Sequence, residues 1–323
     1  MNLKEQKNLV EDIKSGKQKT INMNDKIKFD CTMCGKCCFK NDILINSYDM
    51  IRLRHALGMT TQEIIQNKFV DIYIGPSSGL PVAILNFEQD TEKLSKCPFL
   101  SPAMKIESVI SRIEEIVKDP KQLEEIKKEY EIDPKSLLKH IDGVSIDRWI
   151  CAVHRDRPLI CRLFPCGRIK EINKDTKETK DTWIFQEDAK GSCPGMETNK
   201  EQSLSDFLAQ SNFQQFNEGS AKFQTIIEKL VSAGFFAKTI DNISSGGITP
   251  LLEKDSLPLM VAANILYNFD SFRFFSEDPL VTKTINDPTA THEYYMYVLN
   301  KIESIIDLII NKYNEIDFSK FKV

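Results

Sequence analysis

Cys31-Thr-Met-Cys34-Gly-Lys-Cys37-Cys38 sets four thiols within eight residues, a density that packing of small buried side chains does not require. A C-x2-C turn brings two sulfurs toward one metal, and the next C-x2 step supplies a third. The spacing of Cys31, Cys34 and Cys37 matches the first three ligands of a bacterial-ferredoxin run, whose fourth ligand is a Cys-Pro. Cys97-Pro98 and Cys193-Pro194 both offer that dipeptide. Cys38 departs from the ferredoxin pattern. Side chains of adjacent residues tend to diverge, so Cys37 and Cys38 serve two metals or a bridged centre more readily than one ion.

The chain has nine cysteines: Cys31, Cys34, Cys37, Cys38, Cys97, Cys151, Cys161, Cys166 and Cys193. An odd number would strand one thiol if all were paired as disulfides. The N-terminal Met-Asn-Leu-Lys-Glu-Gln-Lys runs into a polar, lysine-rich stretch with no apolar core, which does not read as a secretory signal. No apolar stretch is long enough to span a bilayer. The expectation is a soluble cytoplasmic protein whose thiols stay reduced, and a reduced, clustered thiol set reads as a metal site. All nine are candidate ligands. Eight thiolates would suffice for two four-coordinate centres, which permits two clusters without requiring them.

The second cysteine region is Cys151-Ala-Val-His-Arg-Asp-Arg-Pro-Leu-Ile-Cys161-Arg-Leu-Phe-Pro-Cys166-Gly-Arg168. A centre with four thiolates carries a net charge of about −2 for Zn²⁺ or an oxidised cubane. Guanidinium groups nearby would offset that charge and raise a reduction potential. Alternatively, Arg155, Arg157 and Arg162 form a patch for a small anionic substrate, or the face of a redox partner protein. A solvated arginine loop is the plainest use of the same residues.

These elements resemble the CxxCxxCC cysteine-cluster family, the YkgJ-like proteins described as zinc- or iron-chelating. The resemblance rests on Cys31-x2-Cys34-Gly-x-Cys37-Cys38, Cys97-Pro-Phe-Leu, and Cys151 ahead of Arg157-Pro-x-x-Cys161-Arg-x-Phe-Pro165, over residues 28 to 170. It implies metal binding by Cys31, Cys34, Cys37, Cys38, Cys97, Cys151 and Cys161. Cys166 and Cys193 lie outside the shared pattern. The long stretch between Cys97 and Cys151 is an insertion relative to the family, and the last third of the chain lies outside the match. The family has no common reaction, so the resemblance points to a site rather than an activity.

An all-cysteine set with ferredoxin-like spacing favours an iron–sulfur cluster; zinc, which also takes four-cysteine sites, is the alternative. His154 is the one histidine within the cysteine loops. Three classes of function remain: a redox or electron-transfer protein, a zinc-stabilised non-enzymatic scaffold, and a nucleic-acid binder using a helix–turn–helix-like segment, Asp49 to Phe69. The last has only Arg52, Arg54 and Lys68 as cations, a weak phosphate footprint. The chain's formal charge of −4, from 43 basic and 47 acidic residues, gives no global push toward nucleic acid either. The radical spacing C-x3-C-x2-C is not present, nor is a dinucleotide fingerprint or a P-loop.

Chain periodicity predicts an α+β, mostly helical fold. Residues 1–199 form a metal-pinned cysteine-rich domain with small β-hairpins and a helical insertion over about 101–145. Residues 200–323 form an all-helical C-terminal domain. Ser47 to Leu57 has helical apolar spacing stopped by Gly58, and Thr60-Thr-Gln-Glu63 is a capping box opening a second helix to about Phe69. Hairpins are expected from Asp71–Ile74 with Val82–Phe87, and from Arg168–Ile172 with Thr182–Phe185. Helices are expected from Ile106 to before Pro120, from there to about Tyr130, and after Asp133-Pro134. Asp278-Pro279 and Asp287-Pro288 read as N-cap and first-turn pairs, and the last helix bears a wide apolar stripe through Val298, Ile302, Ile305 and Ile309.

Overall fold

Ser47–Leu57 is the helix around which the chain is arranged. The structure, a computed structural model, describes residues 11–13, 15, 18–32, 35–39, 43–75, 79–89, 95–102, 117–132, 149–172, 179–187, 193–235, 253–285 and 287–315. In chain order the strands are β1 (Thr20–Ile21), β2 (Lys26–Lys28), β3 (Leu44–Ile45), β4 (Val70–Ile74), β5 (Pro81–Leu85), β6 (Glu88–Gln89), β7 (Ser95–Lys96), β8 (Leu100–Pro102), β9 (Trp149–Cys151), β10 (Cys166–Ile172), β11 (Thr179–Phe185) and β12 (Glu201–Ser203). The helices are α1 (Ser47–Leu57), α2 (Thr61–Gln66), α3 (Pro120–Ile132), α4 (Leu159–Leu163), α5 (Leu204–Gln210), α6 (Phe213–Ser232), α7 (Glu253–Tyr267), α8 (Arg273–Ser276), α9 (Pro279–Thr282) and α10 (His292–Glu315). The fold is α+β and mostly helical, with small antiparallel sheets.

Local chemistry sets the ends of α1 and α2. Asn46 accepts from the Asp49 amide at 2.9 Å and Asp49 accepts from the Asn46 amide at 3.1 Å, a reciprocal cap. Gly58 ends α1 in the left-handed region. Thr60 and Glu63 make the expected capping box, but α2 stops at Gln66, three residues short of the sequence reading. The hairpin β4–β5 pairs from Val70 opposite Leu85 to Ile74 opposite Pro81. The hairpin β10–β11 is longer than expected and starts at Cys166, opposite Phe185.

Several expectations need correction. The lead-in before Cys31 contains two strands. β1 pairs with β11 and β2 with β12, partners far along the chain that local pattern does not reveal. The stretch Cys151 to Cys166 is a strand end, a 3-10 turn at His154–Asp156 and helix α4 rather than a loop. Asp287 does not open a helix. Its carboxylate accepts from the Thr289 amide and hydroxyl, closing a turn before α10 begins at His292. Asp278 does cap α9, as read. The expected helix from Ile106 and the one after Asp133-Pro134 lie outside the described residues, whereas Pro120–Ile132 is helical.

Eight consecutive residues of α1, Ser47 to Arg54, are buried. Helices α6 and α10 pack on α1 and on each other. Val298, Leu299, Ile302 and Ile306 of α10 are fully buried there, as its apolar stripe requires. One hydrophobic cluster runs through both the cysteine-bearing segments and the helices beyond Leu204. Gly219 of α6 meets the Tyr48 ring so closely that a Cβ would lie 2.2 Å from its Cγ, so only glycine lets these helices touch there.

The charged residues of α1 are enclosed rather than solvated. Arg54, fully buried, donates from Nε and Nη2 to Asp270 at 2.7 and 2.8 Å. Its Nη1 donates to the Val281 carbonyl at 2.8 Å and to the Thr284 hydroxyl. Asp270 also accepts from the Thr61 amide at 2.8 Å. Arg52 pairs with Asp156, its Nε at 2.7 Å from Oδ1. The Asp49 to Phe69 segment therefore has no basic face to set against phosphates, since two of its three cations are buried in ion pairs. The nucleic-acid reading built on it loses its basis. Among the described residues no helix is long and apolar enough to cross a membrane.

Breaking a buried pair leaves an uncompensated charge, which typically costs about 3–5 kcal/mol. Asp270→Ala is therefore expected to lower unfolding free energy by about that much, read from the midpoint and slope of urea denaturation. A change under about 1 kcal/mol, the surface-pair value, would show that Arg54 is not held as described.

Candidate metal centre

Backbone pairing stitches the cysteine segments together before any metal is considered. The Cys97 amide donates to the Cys38 carbonyl at 2.9 Å, and Phe39 bridges to Lys96. In β8–β9, Leu100 lies opposite Cys151, and the Ala152 amide donates to Phe99 at 2.8 Å. The Asp30 amide donates to the Gly195 carbonyl at 2.9 Å, placing Cys31 beside the Cys193-Pro194 turn. Gly35 sits at φ 73, a left-handed conformation that turns the chain into the single 3-10 turn carrying Cys37 and Cys38.

Cys161 is positioned from α1. One oxygen of the Asp49 carboxylate accepts from the Leu159 amide, the first residue of α4, at 2.9 Å. The other accepts from Asn46 at the start of α1. Asp49 thus fixes the start of Cys161's helix to the start of the central helix. Sequence reading missed this residue, although Asn46-Ser-Tyr-Asp49 carries the same cap spacing as Thr60 to Glu63 and could have pointed to it.

The result is a cavity of about 830 Å³ lined by Cys31, Cys37, Cys38, Cys97, Cys151, Cys161, Cys166 and Cys193. Every candidate ligand except Cys34, which lies outside the described residues, is on this wall. Cys97 and Cys166 are buried, Cys31 and Cys37 are exposed, and the others are intermediate. None of the eight is in a disulfide. They surround the space without converging on one point: among the described residues no group of three or more His, Cys, Asp or Glu side chains is close enough to hold an ion. In chemical type the donors suit a sulfur-ligated centre. Among the described residues the wall carries eight thiols, one imidazole (His154) and one carboxylate (Asp49), both of whose oxygens are engaged by backbone amides.

Electrostatics mark the thiols as one interacting set. A hydrogen bond from Cys38 holds Cys37 down at about 7, against the opposing effect of burial, and Arg157 adds a smaller favourable charge. Cys38, keeping the shared proton, is pushed up by the same hydrogen bond, then by burial and by the charges of Cys37, Cys97 and Cys151. Burial raises Cys161, and Cys97, Cys151 and Cys37 raise it further. Burial also raises Cys151, with Cys37 and Cys31 among the smaller causes. Cys166 is pushed up to about 12 by burial alone. Enclosed thiolates repel one another, so full ionisation needs a cation among them.

The arginines divide in use. Arg162 is a structural brace. It donates to the backbone carbonyls of Arg157 at 2.9 Å and Ser211 at 2.8 Å, and to that of Arg155, with its guanidinium 3.6 Å from the Phe216 ring centre. It is not on the cavity wall, and neither is exposed Arg155. Arg157 does reach the cavity. Its Nη1 donates to the His154 carbonyl at 2.9 Å and lies 2.8 Å from His154 Nε2. Burial, then Arg157 and Arg162, lower His154 to about 4, leaving it a neutral imidazole near pH 7.

Comparison with protein-family models, with curated proteins and with solved structures gives no match.

In chelator-treated, reduced protein, iodoacetamide should add one group to the Cys37–Cys38 pair. The rate should rise as pH climbs through about 7, because the reactive thiolate forms there. Cys166 should stay unmodified throughout neutral pH. Cleavage after Lys36 and Lys40 isolates the pair for mass spectrometry. Equal labelling of Cys166 at pH 7 would contradict the environments described.

Proposed function

We propose that this chain is a sulfur-ligated metalloprotein of the CxxCxxCC kind, holding an iron–sulfur cluster through thiolates of its cysteine cavity. The single observation that carries the reading is that eight cysteines from widely separated segments line one cavity. Cys31, Cys37, Cys38, Cys97, Cys151 and Cys161 would supply the ligands, with Cys34 from the same C-x2-C-x2-C-C run. Cys166 and Cys193 stand on the same wall as further donors. Iron–sulfur is preferred to zinc because thiols outnumber the other metal-binding side chains on the wall, His154 and Asp49, and the first cysteines have ferredoxin spacing.

A bound iron–sulfur cluster supplies one-electron transfer, which makes a redox role the best-supported activity. The chain's own contributions follow from the wall. Thiolates bind, and Arg157, whose charge acts on Cys37 and Cys151, offsets the negative charge of a thiolate-ligated centre. Phe99, Leu159 and Phe164 add apolar surface to the wall that carries the sulfurs. Cytoplasmic residence, where thiols stay reduced, fits this use.

Anaerobic purification followed by metal and acid-labile sulfide analysis tests the proposal. Iron and sulfide in equal amounts are expected, with Cys37→Ser and Cys97→Ser each losing most of both. Stoichiometric zinc without sulfide would replace the cluster by the structural-zinc alternative. Protein free of both metals, or full iron content in both variants, would sink the ligand assignment.

A further inference from the structure

Most of the cavity wall is not sulfur. Ser220, Phe223 and Ile227 reach it from one face of α6, and Ile45 and Leu85 reach it from the sheet β3–β5–β4. At about 830 Å³ the space falls within the range of about 300–1,000 Å³ typical of sites for small organic molecules. A metal centre bonded to the cysteine sulfurs would sit at the sulfur-bearing part of the wall, away from the α6 and β5 side chains that make up the rest.

The rim is apolar as well. Leu44 is 51% exposed and Ile160 is 48% exposed, and both line the cavity from the adjoining elements β3 and α4. Large aliphatic side chains at the mouth of an apolar chamber favour entry of apolar molecules. The charged side chains among the described lining residues are already engaged. Backbone amides take both oxygens of Asp49. Arg168 donates to Asn217 at 2.6 Å, lies 3.7 Å from Asp181, and stacks near Trp183 and Phe213. Arg157 donates to the His154 carbonyl, and its charge acts on the thiols Cys37 and Cys151.

We propose that this chamber binds a neutral, largely hydrocarbon molecule, seated against the α6 and β5 wall next to the thiols. That such a molecule lies beside a metal rests on the iron–sulfur reading above; the apolar chamber itself does not. The electroneutral class follows from the described lining, which offers a guest shape and apolar contact, its charged side chains being taken up by backbone amides, by Asp181 and Asn217, or by the thiol site.

Equilibrium dialysis of the anaerobically purified chain against 1-aminoanthracene, a neutral tricycle, tests this without interference from cluster absorbance. Saturable binding of one molecule per chain is expected, with anthracene-2-carboxylate bound about tenfold more weakly. Ser220→Phe, which puts a ring into the chamber, and Leu44→Asp, which charges its exposed rim, should each weaken 1-aminoanthracene binding by about tenfold or more. Metal content should not change in either variant. No saturable binding, undiminished binding in both variants, or tighter binding of the carboxylate would overturn the inference. Metal and sulfide assays on the same preparations separate the two claims. Metal without dialysis binding sinks the chamber alone, and binding to a metal-free chain sinks the metal reading alone.

Discussion

The central helix α1 takes three ionic side chains into the interior, and each is answered by a different part of the chain. Asp49 caps the helix bearing Cys161, Arg52 pairs with Asp156 between Cys151 and Cys161, and Arg54 pairs with Asp270 among the C-terminal helices. An unpaired charge in such surroundings costs several kcal/mol, so displacing any of these segments from α1 is strongly unfavourable. These pairs are weak contributors to net stability compared with apolar burial. Their effect is on placement: the second cysteine region and the helical third are each fixed in position by the same eleven-residue helix.

That placement matters because the thiol cavity has no continuous element of its own. Its wall is assembled from the loop after β2, the turn before β8, the end of β9, helix α4, the first residue of β10 and the turn before β12. Short backbone ladders bring these pieces to one place, where burial raises Cys151 and Cys161, a hydrogen bond with Cys37 raises Cys38, and neighbouring thiol charges raise all three further. A protein that encloses many thiols has to keep them protonated or supply a cation, and a metal does the second. Burial that opposes ionisation in the metal-free chain becomes favourable insulation once the charge is neutralised.

The sequence was most legible where the signal is local. The end of α1 at Gly58, the Thr60 to Glu63 cap and the Asp278 cap depend on residues within a few positions of each other, and the β4–β5 and β10–β11 hairpins join strands adjacent in the sequence. The strands at Thr20 and Lys26 were hidden because two- and three-residue ladders have no periodicity of their own, and their partners lie at Trp183–Ile184 and Glu201–Ser203. Arg52 and Arg54 misled for a related reason. A basic residue on a helix reads as solvated or phosphate-facing until a distant carboxylate is known to meet it. At the site, cysteine spacing named the thiols, since that chemistry is written in the local pattern. The apolar chamber beside them was not legible, because β3, β5 and α6 each give it only a few residues that read as ordinary core.

X-ray absorption at the metal edges of the anaerobic protein tests most directly whether the separated cysteines meet around a shared inorganic centre. A first shell of sulfur alone at about 2.3 Å is predicted, with an additional metal–metal scatterer if the centre is a cluster. A shell dominated by nitrogen or oxygen at about 2.0–2.1 Å would place the metal away from the thiols and contradict the account.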